Sequence, residues 1–369
     1  MKYDIGISNA VIVSSHNGYE PFIGSVGVKE TRITCVMHGE IDKEECEIWI
    51  DGTGKILMPG LVNGHCHGDM TLARGLGDDM TLLEQNHAFA DTGWFYTLID
   101  DEDRFYSRQL TYCEALLCGT TFIMENMYWG LGKESVRAMK EVGIRGALAE
   151  DIRVDFMRPD EFVSGEFLDE YKKQCEEAGL IPVIGGISEE DYETNRLKRI
   201  QGIAGQKGMK ITCHLAENTW RREIVRQRYQ TSAIDYLYQN DLLDENVIGS
   251  HVVYATEEEI AQLAQANVKV VNTPLCEMKI RDGIAPIPEM VRQGIRVCLG
   301  TDGAMWNNSN DIFREMKGIS LIHTMNSGIR SLDTKTILDM ATVNGAMCFD
   351  LEKDYGTIEE GKNEDFILL

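Results

Sequence analysis

The stretch MPGLVNGHCHG, residues 58–68, is a short apolar run followed by two histidines, His65 and His67, with one residue between them. Alternate side chains of a β-strand point to the same face, so His65 and His67 can reach one point in space. Similar apolar runs recur along the chain, and segments with helical periodicity separate them. Because buried parallel strands are typically such runs between helices, the stretch is predicted to be the first strand of an α/β fold.

Eight runs of this kind occur, and their spacing indicates a closed barrel. From His65 in the first run to Asp302 in the last there are 237 residues. Seven steps of about 34 residues match an eight-unit barrel of roughly 250 residues, so we predict a (β/α)8 TIM barrel. The runs are KILMPGLVNG (55–64), TTFIMEN (120–126), IRGALAED (144–151), LIPVIGG (180–186), MKITCHLAE (209–217), NVIGSHVVY (246–254), VKVVNTP (268–274) and RVCLGTDG (296–303).

The two ends of the chain have a different pattern from the barrel. Residues 1–57 alternate apolar and polar side chains in bursts such as DIGISNAVIV (4–13), which is typical of antiparallel strands joined by turns. The last stretch, GTIEEGKNEDFILL, has the same character. We therefore predict a small β-sandwich domain built from residues 1–57 plus 350–369, and a barrel over residues 58–349.

Composition and charge argue against several classes of function. The net charge of −24 over 369 residues would repel phosphate backbones, so nucleic acid is not expected as a partner. No apolar run is long enough to span a membrane, and the N-terminus lacks the features of a signal peptide. Ten cysteines without a CxxC pair fit a reducing compartment. The sequence thus favours a cytoplasmic protein with no membrane partner.

Polar residues that can bind a metal ion occur at the C-terminal ends of several predicted strands, where TIM-barrel enzymes place their active sites. Each has an ordinary alternative, as a surface or core histidine or as a turn-forming aspartate. Four of the eight histidines nevertheless lie on this one rim, and imidazole and carboxylate groups are zinc ligands. The fourth run contains no lysine to bridge two ions, so we predict a single ion. The residues concerned are His65, His67, His214 with Glu217, His251 and Asp302.

Six longer stretches of the chain closely resemble the chlorohydrolase and aminohydrolase branch of the amidohydrolase superfamily. That branch includes S-adenosylhomocysteine/methylthioadenosine deaminases, guanine deaminases and triazine hydrolases. The resemblance covers nearly the whole chain, and the combination of motifs is specific. The stretches are MPGLVNGHCHGDMTLARGLGDD, ITCHLAEN, GSHVVY, GIAPIPEMVRQG, LGTDGAMWNNSNDIFREM and GTIEEGKNEDFILL.

The resemblance implies a role for each residue on the predicted rim. It implies one zinc ion, or sometimes iron, held by His65, His67, His214 and Asp302. It also implies that Asp302 accepts a proton from the attacking water, that Glu217 shuttles protons, and that His251 hydrogen-bonds the water. The implied reaction is hydrolytic displacement at an electrophilic ring carbon, usually with release of ammonia.

Departures from the family pattern affect the expected substrate. Nucleoside-deaminating relatives have a substrate-contacting histidine after strand four, where this chain reads GGISEEDY (185–192). Trp94 lies near the position of a ribose-binding glutamate, and Glu277 stands where relatives usually have asparagine. We expect Trp94 and Glu277 to contact the substrate, and a free base or small cationic heterocycle to be preferred over adenosine-type nucleosides. Alternatively, Glu277 pairs with Lys279 or Arg281 at the rim.

Residues 68–101 are long enough to form a loop over the site. Aromatic side chains in it could stack on a heterocycle, or could simply pack against barrel helices. These aromatics are Phe89, Trp94, Phe95 and Tyr96.

Taken together, the residues and the resemblance favour an aminohydrolase that acts on an amino-substituted nitrogen heterocycle. A first alternative is a hydrolase of another bond at the same metal, such as a dehalogenase or dealkylase of triazine-like rings or a hydrolase of cyclic amidines or amides. A second is a non-catalytic scaffold barrel. The expected partner is a small heterocyclic molecule, and a homo-oligomeric assembly is also expected.

Overall fold

The structure is a computed structural model that describes residues 1–90, 99–126, 132–151, 164–329 and 331–369. In it, the N-terminal segment forms five strands outside the barrel. The five strands are β1 (Tyr3–Ile12), β2 (Phe22–Lys29), β3 (Arg32–His38), β4 (Cys46–Asp51) and β5 (Ile56–Pro59).

The barrel consists of the next eight strands, all parallel to their neighbours, within the described residues. Each corresponds to one of the eight apolar runs, so the predicted TIM barrel is confirmed. The strands are β6 (Leu61–Cys66), β7 (Thr120–Asn126), β8 (Arg145–Asp151), β9 (Ile181–Ile187), β10 (Lys210–Leu215), β11 (Val247–His251), β12 (Lys269–Asn272) and β13 (Val297–Leu299).

The last barrel strand returns to the first at a point of very close contact. The amides of Thr301 and Asp302 donate to the carbonyl of His65 at 3.1 and 2.9 Å. A Cβ atom at Gly300 would lie 2.9 Å from backbone atoms of His65. Only glycine therefore fits at this position, and the closure brings the HCH segment beside the GTD segment although they are far apart in sequence.

Helices surround the barrel and connect its successive strands. Within the described residues they are α1 (Leu82–Gln85), α2 (Asp101–Leu117), α3 (Gly132–Val142), α4 (Gly165–Glu177), α5 (Thr194–Lys207), α6 (Thr219–Tyr229), α7 (Ala233–Gln239), α8 (Glu257–Gln265), α9 (Pro274–Lys279), α10 (Ile287–Arg292), α11 (Ala304–Asn307), α12 (Ile312–Ser327), α13 (Thr334–Ala341) and α14 (Val343–Cys348). None of these is both long and apolar enough to cross a membrane.

Two apolar layers hold the barrel together. Inward-facing strand residues such as Val62, Met124 and Ile248 pack with Phe349, which follows α14. Outward-facing residues pack under the helices in a second, larger cluster, in which Leu148 is fully buried. Each such buried aliphatic side chain contributes about 1.5–3 kcal/mol, so the rim is supported by a rigid frame.

The terminal strands form one mixed sheet. Its final strand, β14 (Phe366–Leu368), pairs antiparallel with β5, and β5 pairs parallel with β1. The C-terminal stretch therefore returns to the N-terminal sheet, as the alternating pattern indicated. Because β5 crosses the boundary expected between residues 57 and 58, the division into two domains stays a prediction.

Candidate metal centre and active site

Four histidines and one aspartate meet at the C-terminal rim of the barrel. His65 lies in β6 and His67 directly follows it, while His214 lies in β10 and His251 ends β11. The imidazole ring centroids of His65 lie 5.0–5.2 Å from those of the other three histidines. Asp302 follows β13, and its Oδ1 is 3.8 Å from His65 Nε2 and 3.6 Å from His67 Nε2. The structure thus brings together the residues that the sequence singled out.

This arrangement fits a divalent metal ion. Atoms bonded to one zinc ion at about 2.0–2.2 Å are at most roughly 4.4 Å apart, and the Asp302 distances satisfy this limit. The donor atoms of His65, His67 and Asp302 lie within 4.8 Å of one another, as do those of His65, His214 and His251. His65 Nε2 is buried without a hydrogen-bond partner in the described residues. A buried nitrogen lone pair of this kind is suited to a metal ligand.

A hydrogen bond on the outer side of the His67 ring directs the correct nitrogen inward. His67 Nδ1 lies 3.0 Å from the carbonyl oxygen of Asn126, an acceptor, so Nδ1 carries the proton and Nε2 keeps its lone pair. His65 Nδ1 lies 2.7 Å from Ser250 Oγ and 2.6 Å from the side-chain amide of Asn126. Burial and the neighbouring histidines lower the pKa of both His65 and His214 well below the ordinary value. Neutral imidazoles are the form that binds metal ions.

His251 is held from behind by a different set of groups. Its Nδ1 is 3.0 Å from Thr273 Oγ1 and 3.6 Å from Glu277 Oε1, while its Nε2 has no hydrogen-bond partner among the described residues. Burial lowers the pKa of His251, but the carboxylates of Glu217, Glu277 and Asp302 outweigh it and raise the pKa to about 9. The ring can therefore donate a hydrogen bond from Nε2 toward the centre.

Glu277 lies behind His251 and does not line the cleft. Its carboxylate accepts two hydrogen bonds of 2.8 Å from Asn272 Nδ2 and one of 3.1 Å from the Thr273 amide. The alternative pairing with Lys279 is not seen, since Lys279 contacts Asp78 at 2.8 Å. From the sequence we expected Glu277 to contact the substrate, whereas in the structure its carboxylate lies beside His251.

A small cleft opens beside the metal centre, and Glu217 is part of its wall. Glu217 is buried, and Arg221, one helical turn further on, donates a hydrogen bond to its carboxylate. Burial alone would raise the pKa of Glu217, but Arg221 brings it below the ordinary value. The cleft is lined by His67, Leu82, Asn86, His214, Glu217, Arg221, Ile280, Asp302 and Trp306.

Several of these lining residues were not expected from the sequence. Trp306 stands edge-on to His67 with ring centroids 5.3 Å apart. Its place four residues after Asp302, in the stretch LGTDGAMWNNSNDIFREM, was an available signal. Arg221 lies four residues after Glu217, but its contact with Glu190 depends on a different part of the chain.

The backbone is strained at the same rim. Ala216, His251, Val252 and Asp302 have φ values of 48°, 73°, 51° and 60°, in the left-handed region that non-glycine residues seldom adopt. Strain of this kind costs about 1–3 kcal/mol per residue and collects at functional sites, where the surrounding structure enforces it.

The segment after strand one is more regular than expected. Gly68–Ala73 is a 3-10 helix, and the short α1 contributes Leu82 to the cleft. Phe89 packs against an apolar cluster that includes Trp306. Trp94, Phe95 and Tyr96 lie outside the described residues, so the stacking role of Trp94 stays a prediction.

Comparison with known proteins identifies the family. The sequence model of the amidohydrolase family matches residues 56–369. The chain belongs to the amidohydrolase family. This amidohydrolase is 34% identical over 336 residues to a 5'-deoxyadenosine deaminase of Methanopyrus kandleri, covering 88% of this chain and 76% of that protein. It is 30% identical over 385 residues to a 5-methylthioadenosine/S-adenosylhomocysteine deaminase of Aquifex aeolicus, covering 100% and 84%.

A solved structure has the same fold. The amidohydrolase superposes on an adenosine deaminase from Xanthomonas campestris with bound zinc at a TM-score of 0.89, with 23% identity and coverage of 100% of this chain and 84% of that chain. Together with the donor set at the rim, family membership makes this chain a metal-dependent hydrolase of carbon–nitrogen bonds other than peptide bonds.

Proposed function

We propose that this amidohydrolase removes an amino group from an aromatic nitrogen heterocycle, leaving an oxo group and releasing ammonia. The proposal rests on one observation: three of the proposed metal ligands and Glu217 line the same cleft. The ligands are His67, His214 and Asp302. In this reaction the water oxygen bonds to the ring carbon and the carbon–nitrogen bond breaks. One water proton ends on the ring nitrogen, which keeps it in the oxo product, and the other leaves on the ammonia.

One divalent ion per chain, zinc before iron, is proposed for the ligands His65, His67, His214 and Asp302. The donor distances of His65, His67 and Asp302 support this, as does the grouping of the His214 and His65 nitrogens. The run LIPVIGG also supports a single ion, since it contains no lysine to bridge a second one. An ion held there would lower the pKa of a coordinated water to about 7.

The side chains of this chain supply the proton transfers. Asp302 is placed to accept a proton from the attacking water, because its carboxylate faces the centre beside His65 and His67. Glu217 can pass protons first to the ring nitrogen and then to the leaving amine. His251 presents Nε2 toward the centre and can hold the water by a hydrogen bond.

The substrate class proposed first is a 6-aminopurine in an adenosine-type nucleoside. The printed names of the relatives above, which act on 5'-deoxyadenosine and on methylthioadenosine or S-adenosylhomocysteine, support this choice. A free base is the second candidate, because no histidine follows strand four. Glu277 lies behind His251 and not in the cleft, so its carboxylate no longer argues for a cationic base as substrate.

A substrate panel tests the proposal. Purified enzyme with defined zinc content would be assayed for release of ammonia, chloride and alkylamine with 5'-deoxyadenosine, methylthioadenosine, S-adenosylhomocysteine, adenine, guanine and a chlorinated, alkylated aminotriazine. Ammonia release from at least one nucleoside or base is expected, and its loss after chelation should be reversed by zinc. Chloride or alkylamine release from triazines without deamination of any purine would instead establish the alternative hydrolase, and inertness toward all would favour the scaffold.

A further inference from the structure

The turn after strand four reaches the active site through an arginine. Glu190 lies in the 3-10 turn Glu189–Asp191 that follows β9. Its carboxylate holds the guanidinium of Arg221 by two contacts: Nε lies 2.9 Å from Oε2, and Nη2 donates to Oε1 at 3.2 Å. The charged hydrogen bond from Nη2 and the second close contact at Nε anchor the guanidinium group beside Glu217.

The opposite edge of the same guanidinium meets Glu217. Arg221 Nη1 donates to Glu217 Oε2, and the backbone amide of Arg221 donates to the capping side chain of Asn218 at 3.1 Å. Arg221 is 7% exposed and Glu217 is 2% exposed, and both line the cleft. The ion pair is therefore shielded from solvent and from screening by salt.

This contact has two consequences for Glu217. With one carboxylate oxygen held by Arg221, rotation of the carboxylate is restricted, and its other oxygen keeps a fixed direction. The positive charge of Arg221, together with His251 and a hydrogen bond with Asp282, favours ionised Glu217, whereas burial alone would favour the protonated form. An ionised, oriented carboxylate is the state that can accept a proton and pass it to the ring nitrogen.

We propose that Arg221, anchored by Glu190, is the positioning residue that orients the Glu217 carboxylate for proton transfer. The inference rests on the proton-shuttling role proposed for Glu217. The turn after strand four thus contributes to catalysis through successive ion pairs from Glu190 to Arg221 to Glu217. This turn contains no histidine.

The first test compares Arg221→Met with Arg226→Met in the zinc-loaded enzyme. Arg226 is an exposed arginine on the same helix, paired with Glu223, and serves as the matched control. For Arg221→Met we expect kcat to fall about 10²-fold, within the range for loss of general acid–base catalysis. KM and zinc content should change little, and the acidic limb of the kcat–pH profile should move to higher pH. The melting temperature should fall, because the buried Glu217 loses its cation. Arg226→Met should match the wild type.

A double-mutant cycle separates this proposal from the role of Glu217 itself. If Arg221 acts through Glu217, the Arg221→Met change should cause no further loss of kcat in a Glu217→Gln background. Independent, multiplicative losses would overturn the proposal, and so would full activity of Arg221→Met beside an inactive Glu217→Gln enzyme. Near-normal turnover by Glu217→Gln alone would instead refute the shuttle assignment on which the proposal rests.

Two milder variants keep the test decisive if methionine at position 221 prevents folding. Arg221→Lys retains the charge without the fork and should have a kcat between those of the wild type and the Glu217→Gln enzyme. Glu190→Gln removes the anchoring charge, and its side chain is 31% exposed. It should lower kcat and move the acidic limb in the same direction by less. Wild-type kcat and pH profile in both variants would overturn the proposal.

Discussion

At the scale of single residues, Glu217 carries the sharpest prediction. Glu217→Gln keeps the shape of the side chain and does not touch the metal donors, but it cannot transfer a proton. We expect zinc content to stay at the wild-type level and kcat/KM to fall by about 10²-fold or more. The measurement is ammonia release together with metal analysis of the same preparation.

The control for this variant is Glu223→Gln, an exposed glutamate of α6 that pairs with Arg226 at the surface. It should behave like the wild type. An active Glu217→Gln enzyme would mean that another group moves the proton.

Glu277 gives a second prediction at the residue scale. Because its carboxylate accepts hydrogen bonds from Asn272 and Thr273, Glu277→Ala would leave buried donors unpaired. The expected loss is about 1–3 kcal/mol of unfolding free energy for each unpaired group, measured by urea titration. KM should stay near the wild-type value, since the side chain lies behind His251. A large rise in KM at unchanged stability would restore the substrate contact expected from sequence.

At the scale of elements, the turn after β6 depends on a buried ion network on α2. Arg108 Nη2 donates to Asp69 Oδ2 at 3.3 Å and Arg108 Nε to Glu125 Oε1 at 3.2 Å. The Gly68 amide donates to both oxygens of Glu125 at 3.1 Å. The network therefore fixes the backbone immediately after His67.

Arg108→Met should weaken both the fold and metal binding. It leaves two buried carboxylates without their cation, and breaking such a pair typically costs about 3–5 kcal/mol. Chemical unfolding and zinc titration of the refolded protein would measure the two effects. Arg314→Met, at an exposed position of α12, is the control. Unchanged zinc affinity in a destabilised Arg108→Met protein would show that the network supports the fold but not the ligand His67.

The elements also show what sequence can and cannot reveal about this site. The barrel strands lie in short, largely apolar runs with polar residues near the ends of several of them, so local pattern was enough to place His65, His214 and His251 on one rim. The roles of Glu277 and Arg221 depend in part on His251 and Glu190, which lie in other elements, and periodicity does not reveal such contacts. The left-handed backbone at His251 and Asp302 was equally hidden, because neither residue is glycine.

At the scale of the whole molecule, the metal centre joins distant parts of the chain. Its proposed ligands come from β6, β10 and the end of β13, with 237 residues between His65 and Asp302. Four polar groups converge there in a buried space, and two of the histidine rings are held neutral by burial. A bound ion would offset part of the cost of burying these groups together.

Removal of the ion should therefore destabilise the entire barrel as well as abolish activity. A ligand that binds only the folded state raises its stability with concentration, so the melting temperature should fall on dialysis against a chelator and rise again as zinc is returned. The titration should saturate at one ion per chain. Asp302→Asn should keep the fold while shifting the titration to higher zinc concentration. Saturation at two ions, or a melting temperature indifferent to zinc, would contradict a single ion at this rim.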